Sequence, residues 1–203
     1  MLESFIDLYE KKQRFVVFDV ETVGNFGNPI IVEIGAVEAG KNFKENFQTF
    51  QKVLRFQPSS WDAYQRELKI HQIPTKEIES GEDRSTVLQE FFQFIEGSVL
   101  ICHTNFDIRA MQKNIQQHHA LSSYLGWNIW KEFIDSCKLS KLLCPCLPGY
   151  SLSKLADYFN IKNPQAHRAL ADAITTKKII SKLLQQYYNT PSVLPKKLLS
   201  NQN

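Results

Sequence analysis

Apolar positions recur along this chain of 203 residues in two rhythms. "FVVFDVET" (15–22) is almost unbroken in apolar side chains and predicts a strand buried on both faces, central in a sheet. "IIVEIGAVE" (30–38) reads as a second strand, and "FKENFQTF" (43–50) alternates as a third, half-exposed one. "GNFGNP" (24–29) and "AGKN" supply the turns between them, so the three form a meander. Helical spacing appears elsewhere. Residues 2–12 predict a short amphipathic helix, and "WDAYQRELKIHQIP" is polar and helical. Residues 85–97 predict a helix with Ser85 as N-cap and Gly97 as stop. "SVLICH" (98–103) is a short apolar strand, with "NFDIRAMQKNIQQHH" as the helix after it. "EFIDS" (132–136) predicts a fifth strand, followed by a short helix to Leu143, a loop "CPCLPGY", and a helix that starts at Ser151. The last long helix is expected from about Ala166 to Tyr188, with Leu170, Ala173, Ile174, Ile180, Leu184 and Tyr187 as its apolar stripe. A meander followed by strands that alternate with helices predicts one mixed-sheet α/β domain over residues 1–189. The polar tail, 190–203, is expected to fray.

Composition changes this picture little. Hydrophobic residues make up 43% and charged residues 22%, ordinary for a soluble globular protein. The net charge is +3, from 24 basic and 21 acidic residues, so any nucleic-acid binding must come from local patches. "MLESFIDLYEKKQR" lacks the order of a secretory leader, and no stretch approaches the ~18 apolar residues of a membrane helix. Cys102, Cys137, Cys144 and Cys146 form no regular framework. They are expected as reduced thiols in a cytoplasmic protein, with zinc binding as the alternative.

The first strand raises a chemical question. Asp19 and Glu21 stand two apart on a strand, so they share a face. Carboxylates that close repel unless a cation or a shared proton compensates. Mg²⁺ and similar hard cations take such oxygen ligands. Two free acids at an exposed strand end are the alternative. Asp107 follows the fourth strand at a helix start, where an acid is favourable in any case. His167 and Asp172 flank the entry to the last helix. Five residues turn a helix through about 500°, so these two side chains do not share a face. His167 is therefore expected at the helix entrance, and a surface His beside Arg168 is the alternative.

In order, "FDVET", "HTNFD" and "HRALADA" resemble the three motifs of the DnaQ-like, or DEDDh, 3′→5′ exonucleases, whose proofreading members include the epsilon subunit of bacterial DNA polymerase III. "IVEIGAV", "HQIP", "FIDSCKLSKLL" and "SLSKLADYFNI" are weaker features in the same order, and the resemblance covers roughly residues 14–185. Two departures stand out. "HTNFD" is one residue shorter than usual, with Thr104 in place of Asn, and Val23 replaces a common second Thr.

The resemblance implies a ribonuclease-H-like three-layer fold: a mixed five-stranded sheet with helices on both faces. It implies two divalent cations, Mg²⁺ or Mn²⁺, held by Asp19, Glu21, Asp107 and Asp172, with His167 as general base. Two cations about 4 Å apart can hold the attacking and leaving oxygens of an in-line displacement. The implied reaction releases nucleoside 5′-monophosphates from the 3′ end of single-stranded DNA, in proofreading or repair. A DNA polymerase is an implied partner, and no membrane is. The candidate substrate contacts are Thr22, Val23, Gly24, Phe26, His103 and Asn105, with His71 and Ile73 in the cleft wall. Phe26 stacking on a base and Phe26 packing in the core are both open, and Trp61, Trp127 and Trp130 are read as packing residues. The alternatives are the same chemistry on RNA ends, or a non-catalytic nucleic-acid or polymerase-binding module.

Overall fold

A computed structural model of the chain describes residues 1–25, 27–40, 43–44, 46–126 and 132–189. Phe26, Trp127, Trp130 and the 190–203 tail lie outside the described residues. Five strands form one sheet: β1 (Phe15–Val23), β2 (Ile30–Ala39), β3 (Asn46–Val53), β4 (Val99–Cys102) and β5 (Ile134–Asp135). Their spatial order is β3-β2-β1-β4-β5. β1 is antiparallel to β2 and parallel to β4, and β2–β3 and β4–β5 repeat those two senses. The sheet is therefore mixed, with the strand predicted to be central in the middle.

Helices cover both faces because β1 is apolar on both. Val16, Phe18 and Val20 pack with residues of α4 (Arg84–Ile95) and α5 (Asn105–Gln116), including Phe91, Phe92, Met111 and Ile115. Phe15 and Val17 face α1 (Leu2–Glu10), α6 (Ser136–Leu143), α7 (Leu152–Tyr158) and α8 (Ala169–Asn189). Fully burying one such Phe contributes about 1.5–3 kcal/mol. Two short helices, α2 (Gln65–His71) and α3 (Thr75–Glu79), lie between β3 and α4 in sequence. Among the described residues, no helix is long and apolar enough to cross a membrane.

Several boundaries differ from the sequence expectation, four of them for identifiable local reasons. β3 starts at Asn46, because Phe43 takes a left-handed conformation (φ 57°) and plugs the core, 5.2 Å from the Phe15 ring. α4 is capped by Asp83, whose side chain accepts from Thr86 N, and Ser85 lies inside the helix. β5 keeps only Ile134–Asp135, since the Asp135 carboxylate accepts from Lys138 N and starts α6 there. α8 begins at Ala169, because His167 has φ 65° and cannot continue a right-handed helix. The four cysteines are free thiols, and among the described residues none belongs to a metal-ligating cluster.

Candidate active site

Alternation along β1 fixes where its acids point. Phe15 and Val17 face α8, so Asp19 and Glu21 continue that face as the strand reaches its end. Opposite them on β2, Asp19 pairs with Gly35 and Glu21 with Glu33. Gly35 lets the start of α8 lie directly on the sheet: a Cβ there would be 2.0 Å from Leu170 N and 2.2 Å from Ala169 C. This close approach brings Asp172, in the first turn of α8, to the β1 acids. One ligand atom each from Glu21, His167 and Asp172 lie within 4.8 Å of one another.

Asp172 is held in place through both carboxylate oxygens. Oδ1 accepts from Asn163 Nδ2 at 2.5 Å, and Oδ2 accepts from the backbone N–H of His167 at 3.1 Å. His167 precedes the helix, with an exposed side chain, in agreement with its expected place at the entrance.

Asp107 arrives from the other side of the sheet. Thr104 caps α5 with its hydroxyl, accepting from Phe106 N at 3.3 Å. Asp107 then stands three residues past the cap, in the position of a capping-box acid. Its Oδ1 also accepts from Val20 N on β1 at 3.3 Å. The shortened second motif thus still anchors Asp107 to β1, with Thr104 used as a cap.

Electrostatics mark the cluster. Burial, followed by repulsion from Asp107, Glu21, Asp172 and Glu33, holds Asp19 well above the usual carboxylate range. Burial and the negative charge of Asp172 push Glu21 up to about 9. Burial raises Asp107 to about 7, against backbone N–H bonds that pull it down. Asp172 is raised by burial as well. No hydrogen bond or ion pair from another described side chain reaches Asp19 or Glu21. A group of acids this short of positive charge fits a hard divalent cation, which takes carboxylate oxygens and water. Exonucleases of this fold use divalent metal ions.

A cleft of 610 Å³ opens beside Glu21, walled by Thr22, Gly24, Tyr64, His71 and Phe106 among others. Gly24 has φ 93°, so its backbone turns along the cleft where a side chain would be strained. The other predicted contacts divide. Val23 is fully buried against Val32, Ile73 and Ile78, so its side chain and that of Ile73 belong to the core. His103 is also buried, with Nδ1 bonded to Ser136 Oγ and Nε2 to the Tyr150 carbonyl, both at 3.0 Å. Its ring braces β4 against α6, which corrects its reading as a substrate contact. Asn105 lies in the first turn of α5 and accepts from Arg109 Nη2 at 2.6 Å. Trp61 packs edge-on against Phe56, as expected of a packing residue.

His71 is better placed than its sequence signal implied. Its Nδ1 accepts from Ile73 N at 3.0 Å, so the neutral ring carries its proton on Nε2. Burial lowers its pKa and keeps it neutral. That Nε2 is buried and has no hydrogen-bond partner among the described residues. Sequence reasoning also missed Glu33, Gly35, Asn163 and Arg168. "IVEIGAV" was the available signal for Glu33 and Gly35, since an acid inside an apolar strand is costly without a reason.

A family model described as Exonuclease matches residues 16–180. The PolC-type DNA polymerase III of Caldanaerobacter subterraneus subsp. tengcongensis is 32% identical over 176 residues, 85% of this chain but 12% of that protein. The DNA polymerase III epsilon subunit of Aquifex aeolicus is 27% identical over 177 residues, 86% of this chain and 82% of the subunit. The chain thus spans a small fraction of the PolC-type relative and most of the epsilon subunit. Among solved structures, E. coli exonuclease I in complex with a dT13 oligonucleotide has a TM-score of 0.72 at 16% identity, covering 94% of this chain and 44% of that one, a likeness of fold. The chain belongs to the exonuclease family.

Proposed function

We propose that this chain hydrolyses phosphodiester bonds at the 3′ end of single-stranded DNA, releasing nucleoside 5′-monophosphates, in proofreading or repair. The observation that carries this reading is the meeting of Glu21, His167 and Asp172, from two distant segments, within 4.8 Å. The polymerase III relatives support DNA as the substrate and a DNA polymerase as a partner.

Asp19, Glu21, Asp107 and Asp172 would hold two divalent cations, Mg²⁺ or Mn²⁺. When bound, such ions stabilise the attacking and leaving oxygens of an in-line displacement. His167 takes one proton from the attacking water. Its exposed ring reaches the cluster from outside the helix, and an imidazole side chain is suited to proton transfer near neutrality. Water oxygen bonds to phosphorus, the bond to the 3′ oxygen of the preceding nucleotide breaks, and solvent returns a proton to that oxygen. Thr22 and the Gly24 backbone line the cleft for the terminal nucleotide. Phe26 and Asn105 are further candidate contacts. The buried Nε2–H of His71, without a partner among the described residues, is a further candidate donor to a bound nucleotide.

The test is an end-product assay on DNA and RNA oligonucleotides of one sequence, labelled at either end. Stepwise shortening from the 3′ end of DNA in Mg²⁺ or Mn²⁺, abolished by EDTA, is expected. Faster shortening of RNA would move the substrate to RNA ends. Cleavage of neither would leave a binding module and sink the enzymatic reading.

A further inference from the structure

Glu33 lies beside the site, yet the proposed reaction gives it no part. It is fully buried on β2, opposite Glu21. Both of its oxygens are occupied. Oε1 accepts from Arg168 Nη2 at 2.8 Å, Arg168 Nε at 3.1 Å and Gln51 Nε2 at 2.9 Å. Oε2 accepts from Arg168 Nε at 3.2 Å and Ala169 N at 2.9 Å. A carboxylate so filled is not free to take a metal. Arg168 Nη2 also reaches Glu77 Oε1 on α3 at 2.9 Å, so one guanidinium ties β2, α3 and the entry to α8.

Stability alone is a weak reason for such a pair, because desolvation offsets much of the attraction between buried charges. The residue beside it supplies a stronger one. His167 has φ 65°, a left-handed conformation that costs a non-glycine residue about 1–3 kcal/mol and persists only where its surroundings over-determine it. The His167 N–H is held by Asp172. On its other side, the Arg168 side chain and Ala169 N are both held by Glu33.

We propose that Glu33 and Arg168 are a positioning pair that fixes the His167 backbone, and so aims its ring at the reacting water. This rests on His167 acting as the base. The pair touches neither substrate nor the reacting atoms. It acts through His167, and a displacement near 1 Å there can cost about 100-fold in rate.

The experiment measures kcat and KM on a DNA oligonucleotide for the wild-type chain, Arg168→Gln, Glu33→Gln, His167→Asn and the His167→Asn/Arg168→Gln double variant. Thermal melting and Mn²⁺ binding report on folding and on the metal site. Each member of the pair is expected to lose about 10- to 100-fold in kcat with KM within about twofold. The double variant is expected to be no slower than His167→Asn alone, because one function is removed twice. If Arg168→Gln does not fold, Glu33→Gln, nearly identical in shape, carries the same comparison in its own double variant with His167→Asn. Additive losses, or an unchanged kcat in the single variants, overturn the proposal while the exonuclease reading stands. An inert wild-type chain overturns both.

Discussion

Asp19 on β1 and Gly35 on β2 are paired across the sheet, and the first turn of α8 rests on Gly35. Asp172 meets the β1 acids from a helix turn that rests on a residue without a side chain. Gly35→Ala would drive a methyl into the α8 backbone, 2.0 Å from Leu170 N. Overpacking of this kind costs about 1–3 kcal/mol, and a backbone neighbour cannot yield as a side chain would. A drop in Tm of at least several degrees (roughly 2–4 °C per kcal/mol) is expected, with loss of nuclease activity. Normal Tm and activity in this variant would refute the close-approach account.

The acid cluster sets the pH dependence of the metal-free protein. Glu21 is raised to about 9 and Asp107 to about 7, so the folded state keeps protons that the unfolded chain releases near pH ~4. The folded form binds more protons, so stability falls with rising pH: these groups contribute fully below about pH 4, and their contribution is lost as pH passes 7 and then 9. In EDTA, Tm is expected to decline between about pH 5 and about pH 9. Millimolar Mg²⁺ should raise Tm most at the alkaline end, since it binds the ionised acids of the folded state. A Tm in EDTA that climbs over this range would contradict the raised carboxylates.

His167 is replaceable without disturbing its backbone. Asn tolerates the left-handed conformation better than most residues, so His167→Asn keeps the φ of 65° and removes the base. kcat is expected to fall by about 10²- to 10⁴-fold with Mn²⁺ binding retained. Isothermal titration with Mn²⁺, run beside the kinetics, checks both halves. A variant that loses Mn²⁺ binding as well would make His167 a ligand.

His71 tests the cleft wall. His71→Leu removes the buried Nε2–H and should raise KM several-fold with kcat within about twofold. It also leaves Ile73 N unpaired, at a cost of about 1–3 kcal/mol, so melting is recorded alongside. An unchanged KM in a folded variant would remove His71 from the substrate contacts.

Sequence by itself determined the elements and singled out the acids of the candidate site. The unbroken apolar run of β1 required cover on both faces, and two acids sharing one face at its end called for a cation, a shared proton or exposure to solvent. Both follow from periodicity and from the cost of burying charge, which are local properties. The boundary errors were local too. Phe43 and His167 adopt left-handed conformations that no composition signal announces. Only the tertiary structure decided which face of β1 meets α8, and that Gly35 is the contact. Only it showed that His103 and Val23 are spent on packing, while His71 Nε2 has no partner among the described residues. The Glu33–Arg168 pair joins residues separated by 135 positions. Such a pair forms only once the sheet and α8 are docked, because the free energy that justifies a buried charge lies in its partner and not in its own segment.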